Sequence, residues 1–305
     1  MKSQNLSKEK TSIWFIINPI SGTRRKKKIP SLIRKYLDHE KFTYRLFYSQ
    51  YKGHAGEIAR SAVEQNIAIV CAVGGDGSAH EVGINLIHSN TKLAIIPRGS
   101  GNGISNHMGI PIRTIRAIKC LNKCFSISID TVSVNNSHFL GVGGYGIDAF
   151  IAKKFEQHKK RGLKSYVKHT VKEFYKFNPI QVEIEMQDKS TKVDAFLLSI
   201  ANTSEFGNRF KLSPKSSVQD GILEMIIIKP FPKWVSPFLV ARFIGQKGDK
   251  SKFVEIINFK KASLKLNEEL AHYDGEHIKE RKKIDIEVVP KSLNIIVNER
   301  KLSRI

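Results

Sequence analysis

The feature that most constrains this chain is an apolar run that breaks on glycines and resumes as a helix. Ile67-Ala68-Ile69-Val70-Cys71-Ala72-Val73 has the length and composition of a buried strand. Gly74-Gly75-Asp76-Gly77-Ser78 follows, and Val82, Leu86 and Ile87 then recur at helical spacing. A strand-to-helix turn of this kind lies where a parallel sheet presents its ligand face. The glycines allow close backbone approach, and free N–H groups at the helix start suit a phosphate. Asp76 places one carboxylate among those donors, so a cation between it and a phosphate is expected. The competing reading is a tight turn with a solvated aspartate.

The same unit recurs along the first half. Ser12–Ile17 reads as a buried strand ending in the turn residues Asn18-Pro19-Ile20-Ser21-Gly22. Pro30 opens a helix with Leu32, Ile33, Tyr36 and Leu37 on one face. Phe42–Tyr48 is a strand ending at Ser49, and His54–Val63 a helix with Ile58, Ala59 and Ala62 inward. Leu93–Ile96 ends in Pro97-Arg98-Gly99-Ser100-Gly101-Asn102-Gly103. Repeated strand–turn–helix units predict a parallel sheet with helices on both faces, and right-handed crossovers bring every turn to one edge. Asn18–Gly22, Ser49, Gly74–His80 and Gly99–Asn102 should therefore converge.

Past about Ile129 the pattern becomes one of strands: Ser126–Asn135, Phe139–Gly143, Ile180–Met186, Phe196–Ala201, Leu223–Ile228, Phe253–Phe259, Ala262–Leu266, Ile284–Val289 and Leu293–Val297. Helical pattern is limited mainly to Ile147–His158, Tyr166–Phe177 and Lys233–Phe243. The expectation is an α/β domain over 1–128 followed by an antiparallel β-sandwich over 129–305.

The chain of 305 residues carries a formal net charge of +23, with basic runs at Arg24–Lys28, Lys153–Lys164 and Lys279–Lys283. Such charge points to a polyanion, either an anionic membrane face or nucleic acid, unless it serves solubility alone. The sequence lacks an aromatic-basic interleaved module and a helix-turn-helix, so nucleic acid is not expected as a partner. No apolar run approaches about 18 residues, and Met1–Lys10 is polar, so neither a membrane span nor a signal peptide is expected. Cys71, Cys120 and Cys124 read as reduced thiols in a cytosol.

Gly141-Val142-Gly143-Gly144-Tyr145-Gly146 matches G-x-G-x-x-G, but no βαβ unit with an acidic ribose partner follows it, so a dinucleotide site is rejected. Gln219-Asp220-Gly221 and Tyr273-Asp274-Gly275-Glu276 each set carboxylates on a turn. Each Asp-Gly is also a plain hairpin signal. Two carboxylates two apart, as in Asp274 and Glu276, can hold a metal or take a hydroxyl proton.

Taken together, Asn18–Gly22, Gly74–Ser78, Pro97–Asn102, Gly143–Ala149, Asp220–Leu223 and Asp274–Glu276 resemble the diacylglycerol kinase catalytic family, the bacterial soluble lipid kinases and their sphingosine kinase relatives. The resemblance runs from Ile13 to about His277. It implies an ATP- and magnesium-dependent kinase acting on a lipid alcohol, with a nucleotide domain, a β-sandwich and a cleft between them. By resemblance, Asn18, Pro19, Ile20, Ser21, Gly22, Ser49, Gly74, Gly75, Asp76, Gly77, Ser78, Ala79, His80 and Ser100 contact ATP. Asp220, with the carbonyls of Ser217 and Ile222, matches a structural magnesium site. Glu276 or Asp274 is the proton acceptor, and Asp76 lies in the phosphate–magnesium region. Ser78 and Ser100 stand where threonine is frequent, His80 where asparagine is, and His54 and Gly103 where aspartate is.

The expected substrate is diacylglycerol. The resemblance leaves open a sphingoid base or another lipid, a soluble acceptor such as NAD, or a non-catalytic membrane or nucleic-acid binder. The expected location is the cytoplasm, peripherally at the inner membrane face, and a homodimer is left open.

Overall fold

The computed structural model describes residues 9–19, 26–150, 153, 174–187, 189–205, 213 and 216–300. The predicted Ile20–Gly22, most of the helices Ile147–His158 and Tyr166–Phe177, and the basic stretch Lys154–Lys164 lie outside the described residues.

The first half is built as the apolar runs require. Strands β1 (Thr11–Ile17), β2 (Phe42–Tyr48), β3 (Ile69–Gly74) and β4 (Lys92–Pro97) alternate with α1 (Ile29–Tyr36), α2 (His54–Glu64) and α3 (Asp76–Gly83). They pair in parallel in the order β2-β1-β3-β4. Helices α4 (Gly103–His107) and α5 (Thr114–Leu121) follow β4. Side chains alternate across the strands, so the sheet feeds two cores. Trp14, Ile16, Val70 and Ala72 pack with α2 and α3 on one face. Phe15, Ile17, Cys71 and Val73 pack with α1 and α5 on the other.

The second half is antiparallel. Strands β7 (Val142–Gly146), β10 (Leu197–Ala201), β11 (Leu223–Ile228), β12 (Val254–Phe259), β14 (Leu270–Tyr273) and β15 (Glu276–Lys279) form one sheet in the order β12-β11-β10-β7-β14-β15. Facing it are β5 (Ser126–Val134), β6 (Ser137–Phe139), β8 (Ile180–Met186), β9 (Lys189–Ala195), β13 (Lys261–Leu266) and β16 (Lys283–Ile296). Val132, Ile184, Leu264 and Ile286 of one sheet meet Leu198, Met225, Ala271 and Tyr273 of the other in a shared core. Helix α6 (Ser236–Ile244) lies between β11 and β12.

The sheet carrying β5 and β16 is continuous with the parallel sheet. The sequence pattern divides Ile284–Val289 from Leu293–Val297, and the structure makes them one strand with a bulge between Val289 and Leu293. Pro290 lies in that bulge, where a missing N–H costs no ladder bond. Beyond the bulge, Ile295 pairs with Leu93 of β4, and Leu293, Ile295 and Val297 enter the first core. The chain's end thus closes the first sheet, although by position it belongs to the second half.

Candidate active site

The β1, β2, β3 and β4 ends converge as the crossover rule requires. Asn18 N–H donates to Val73 O at 3.3 Å, Ser49 N–H to Ile17 O at 3.1 Å, and Arg98 N–H to Gly74 O at 2.6 Å. Asn18 Nδ2 reaches Ser78 Oγ at 3.5 Å. Pro19 follows Asn18 at the same edge. The two glycine loops touch backbone to backbone: a Cβ on Gly99 would stand 2.5 Å from Gly75 Cα. Asn102 closes the second loop, accepting from Gly99 N–H at 2.9 Å and donating to Gly99 O at 2.8 Å from a left-handed backbone at φ +55°. Ser100 is exposed on that loop. Ala79 faces the first core, and His80 turns Nδ1 to Asp274.

Asp76 stands at the start of α3 with Oδ1 accepting from Ile104 N–H at 3.2 Å. Burial pushes its carboxyl up to about 6, against the lowering by hydrogen bonds from Gly103 and Ile104. Its structural task is therefore to hold α4, and hence the Gly99–Gly103 loop, against the Gly74–Gly77 loop.

Asp274 and Glu276 separate sharply. An extended segment would point them the same way. Instead Asp274 at φ +50° and Gly275 at φ +85° form a two-residue turn joining Tyr273 to Glu276 across β14 and β15. Asp274 turns inward. Its carboxylate accepts from Leu140 N–H at 2.9 Å, Gly141 N–H at 2.7 Å and Val142 N–H at 3.1 Å, and His80 Nδ1 lies 2.8 Å from Oδ2. Burial raises its carboxyl, but the His80 contact and the backbone donors outweigh burial and hold it below the ordinary carboxylate value. With every lone-pair direction engaged, Asp274 ties α3 to the sandwich. Glu276 turns outward: its carboxylate lies over Gly77, so closely that a Cβ there would stand 3.0 Å from Glu276 Cδ. Its side chain is 42% exposed, and Lys52 Nζ lies 3.5 Å from Oε2. A solvent-reachable carboxylate thus overhangs the glycine loop, and only a close approach of two distant segments puts it there.

The rejected glycine motif is a packing device. A Cβ on Gly143 would strike Phe139 and Tyr273, and one on Gly144 would strike Asp148 and His272. His272 Nε2 lies 3.0 Å from Asp148 Oδ2, both buried.

The Ser217–Ile222 turn lies on the sandwich edge beside β5. Asp220 is exposed, and its Oδ1 accepts from Ile222 N–H at 3.0 Å. Ser217 Oγ accepts from Gln219 N–H at 3.3 Å. One carboxylate with neighbouring carbonyls is a hard oxygen set that fits magnesium with several retained waters. Among the described residues, no group of three or more His, Cys, Asp or Glu side chains gathers to hold a metal.

Two residues at these places escaped the sequence reading. Asp130 is buried in β5 and grips the turn, accepting from Gly221 N–H at 2.7 Å and from Lys291 N–H at 2.8 Å. Its signal was a carboxylate inside Ser-Ile-Ser-Ile-Asp-Thr-Val-Ser-Val, where a buried strand admits charge only with partners. Lys52, exposed after β2, left no signal distinguishing it from other surface lysines.

Two family models match the chain. One, described as the diacylglycerol kinase catalytic domain, matches residues 12–134; the other, described as the YegS C-terminal NAD kinase beta sandwich-like domain, matches residues 141–297. A protein from Chromohalobacter salexigens described as a probable lipid kinase YegS-like is 28% identical over 185 residues, 59% of this chain and 60% of that relative. The diacylglycerol kinase of Bacillus subtilis is 25% identical over 258 residues, 83% of this chain and 84% of its own length. The chain thus spans about 60% of the YegS-like relative it matches. A crystal structure of a diacylglycerol kinase from Bacillus anthracis str. Sterne superposes with a TM-score of 0.72 at 18% identity, covering 95% of this chain and 97% of that one; at that identity it speaks to fold alone.

Proposed function

The chain belongs to the family that joins a diacylglycerol kinase catalytic domain to a YegS C-terminal NAD kinase beta sandwich-like domain, and on that premise we propose that it phosphorylates the hydroxyl of a lipid alcohol with ATP, diacylglycerol being the preferred acceptor. The observation that carries the reading is Glu276 over Gly77. Phosphoryl transfer depends on positioning and charge neutralisation more than on covalent chemistry. Backbone N–H groups of Gly75–Ser78 at the start of α3 hold phosphate oxygens, with Asn18, Pro19, Ser49 and the Ser100 loop around the nucleotide. Ile20–Gly22 complete the set from outside the described residues.

Glu276 is the proton acceptor. The acceptor oxygen bonds to the γ-phosphorus, the bond to the ADP oxygen breaks, and the hydroxyl proton passes to the Glu276 carboxylate. Asp274 is not free to take that proton, because its oxygens already accept backbone and His80 donors. It positions Glu276 through the two-residue turn. Asp76 beside the phosphates, and Asp220 in the Ser217–Ile222 turn, are the residues that would hold magnesium, which would supply charge neutralisation at the phosphates and a brace for the turn.

No helix among the described residues is long and apolar enough to cross a membrane. The substrate is reached from the surface of the inner leaflet, to which the net charge of +23 holds the protein. The reading divides the chain near residue 128 into nucleotide and substrate domains, with β16 crossing the division.

The test is transfer of labelled phosphate from ATP to diacylglycerol, a sphingoid base and NAD, for wild type and Glu276→Gln. Diacylglycerol turnover that falls about 10²–10⁴-fold in the variant supports the proposal. Turnover confined to NAD refutes the lipid assignment, and undiminished turnover in Glu276→Gln refutes its role.

A further inference from the structure

Helix α6 is apolar on two sides, and the fold covers only one. Leu239 and Phe243 pack onto Ile228, with Leu197, Phe231 and Val254 around them. The opposite side stays open: Trp234 is 74%, Phe238 67% and Ile244 68% exposed. Phe238, Ala241 and Ile244 recur at helical spacing along α6, and Trp234 stands in the 3-10 turn Lys233–Val235 that leads into it. An exposed apolar patch of this kind marks an interaction or membrane site, and the chain's described residues do not cover it.

The surroundings say what the cover is. Between residues 233 and 252 stand Lys233, Arg242, Lys247, Lys250 and Lys252 against the single acid Asp249, while Lys229 pairs with Glu255 at 2.8 Å. Lys247, Lys250 and Lys252 are exposed beside the patch. A short helix with a Trp-Phe-Ile face and a basic rim is the composition that seats in the headgroup–acyl boundary of an anionic bilayer. The rim opposes self-association, since a second copy would bring like charge against it.

From this we infer that the Trp234–Ile244 face inserts into the anionic lipid surface and is the point at which the protein docks on its membrane. The inference rests on the lipid-kinase reading for its purpose, while its physical basis is the face itself.

Tryptophan emission tests it, because the chain has two tryptophans and Trp14 is 5% exposed in the first core. Vesicles of phosphatidylcholine mixed with phosphatidylglycerol should shift the emission to the blue, and Trp234→Phe should abolish the shift. The Phe238→Asp/Ile244→Asp double variant should lose at least about tenfold in affinity for those vesicles in sedimentation. Its melting and its turnover of a monomeric short-chain diacylglycerol should match wild type. Vesicle binding unchanged in the double variant overturns the inference, as does a dimer that the double variant alone fails to form. Vesicle binding that depends on this face, in a protein inactive on every lipid acceptor, upholds the inference and refutes the kinase reading.

Discussion

A single methyl group at Gly77 separates the fold from the proposed chemistry. Gly77 lies in the first turn of α3 with an ordinary helical backbone, so alanine is tolerated there and helix propensity contributes up to about 1 kcal/mol in its favour. The nearest atoms to the added Cβ would all belong to Glu276: it would come 3.0 Å from Cδ and 3.4 Å from Cγ and overlap Oε1. That neighbour is the end of a flexible, half-exposed side chain, so it swings away at little cost. Gly77→Ala should therefore melt at or slightly above wild type while losing the carboxylate's placement. If Glu276 is the base, kcat should fall about 10²–10³-fold, or about 3–4 kcal/mol at 1.36 kcal/mol per tenfold. The assay is kcat for diacylglycerol at saturating ATP, with Glu276→Gln and the double variant alongside. The double variant should be no slower than Glu276→Gln, because both changes remove one group's action. Wild-type kcat in Gly77→Ala refutes the reasoning, and so does a double variant whose losses add in full.

Asp76→Asn should lose most turnover yet gain stability at neutral pH, because a carboxyl held at about 6 rather than 3.8 disfavours the ionised fold by up to about 3 kcal/mol. The sign follows from the folded state binding more protons: this contribution falls as pH rises from about 4 to 6 and is absent in the variant, which melting across that range checks. Asp274 is opposite in sign, its folded value being lowered, so its contribution is present above the unfolded value and lost as acid protonates it. Asp274→Asn should flatten the acid limb of wild-type melting and cost about 1–3 kcal/mol at neutral pH through an unpaired buried N–H group. Asp220→Ala should abolish the magnesium-induced rise in melting temperature while leaving the KM for ATP unchanged; equal rises in both proteins would place the ion elsewhere.

The parallel half was legible because its instructions are local. Ile67–Val73 can bury only as a central strand, Pro30 opens a helix, and Gly74–Gly77 breaks the run where a loop must pass. Chirality then decides which edge the loops share. The sandwich was legible as strands, though β9, β14 and β15 left too little pattern: Lys189–Ala195 is largely exposed, and the other two are four residues each.

What the tertiary structure alone decided are meetings between segments far apart in the chain. Gly75 against Gly99 explains why neither loop carries a side chain there. β16 beside β4 depends on a bulge gripped by Asp130, a contact across 161 residues. Asp274 and Glu276 show the limit most plainly. Their spacing suggests a matched pair, but a positive-φ turn sends one into a cradle of backbone donors and the other over Gly77. A local pattern records which residues are compatible with a turn, whereas the direction of each carboxylate is set by the donors that other segments bring to it.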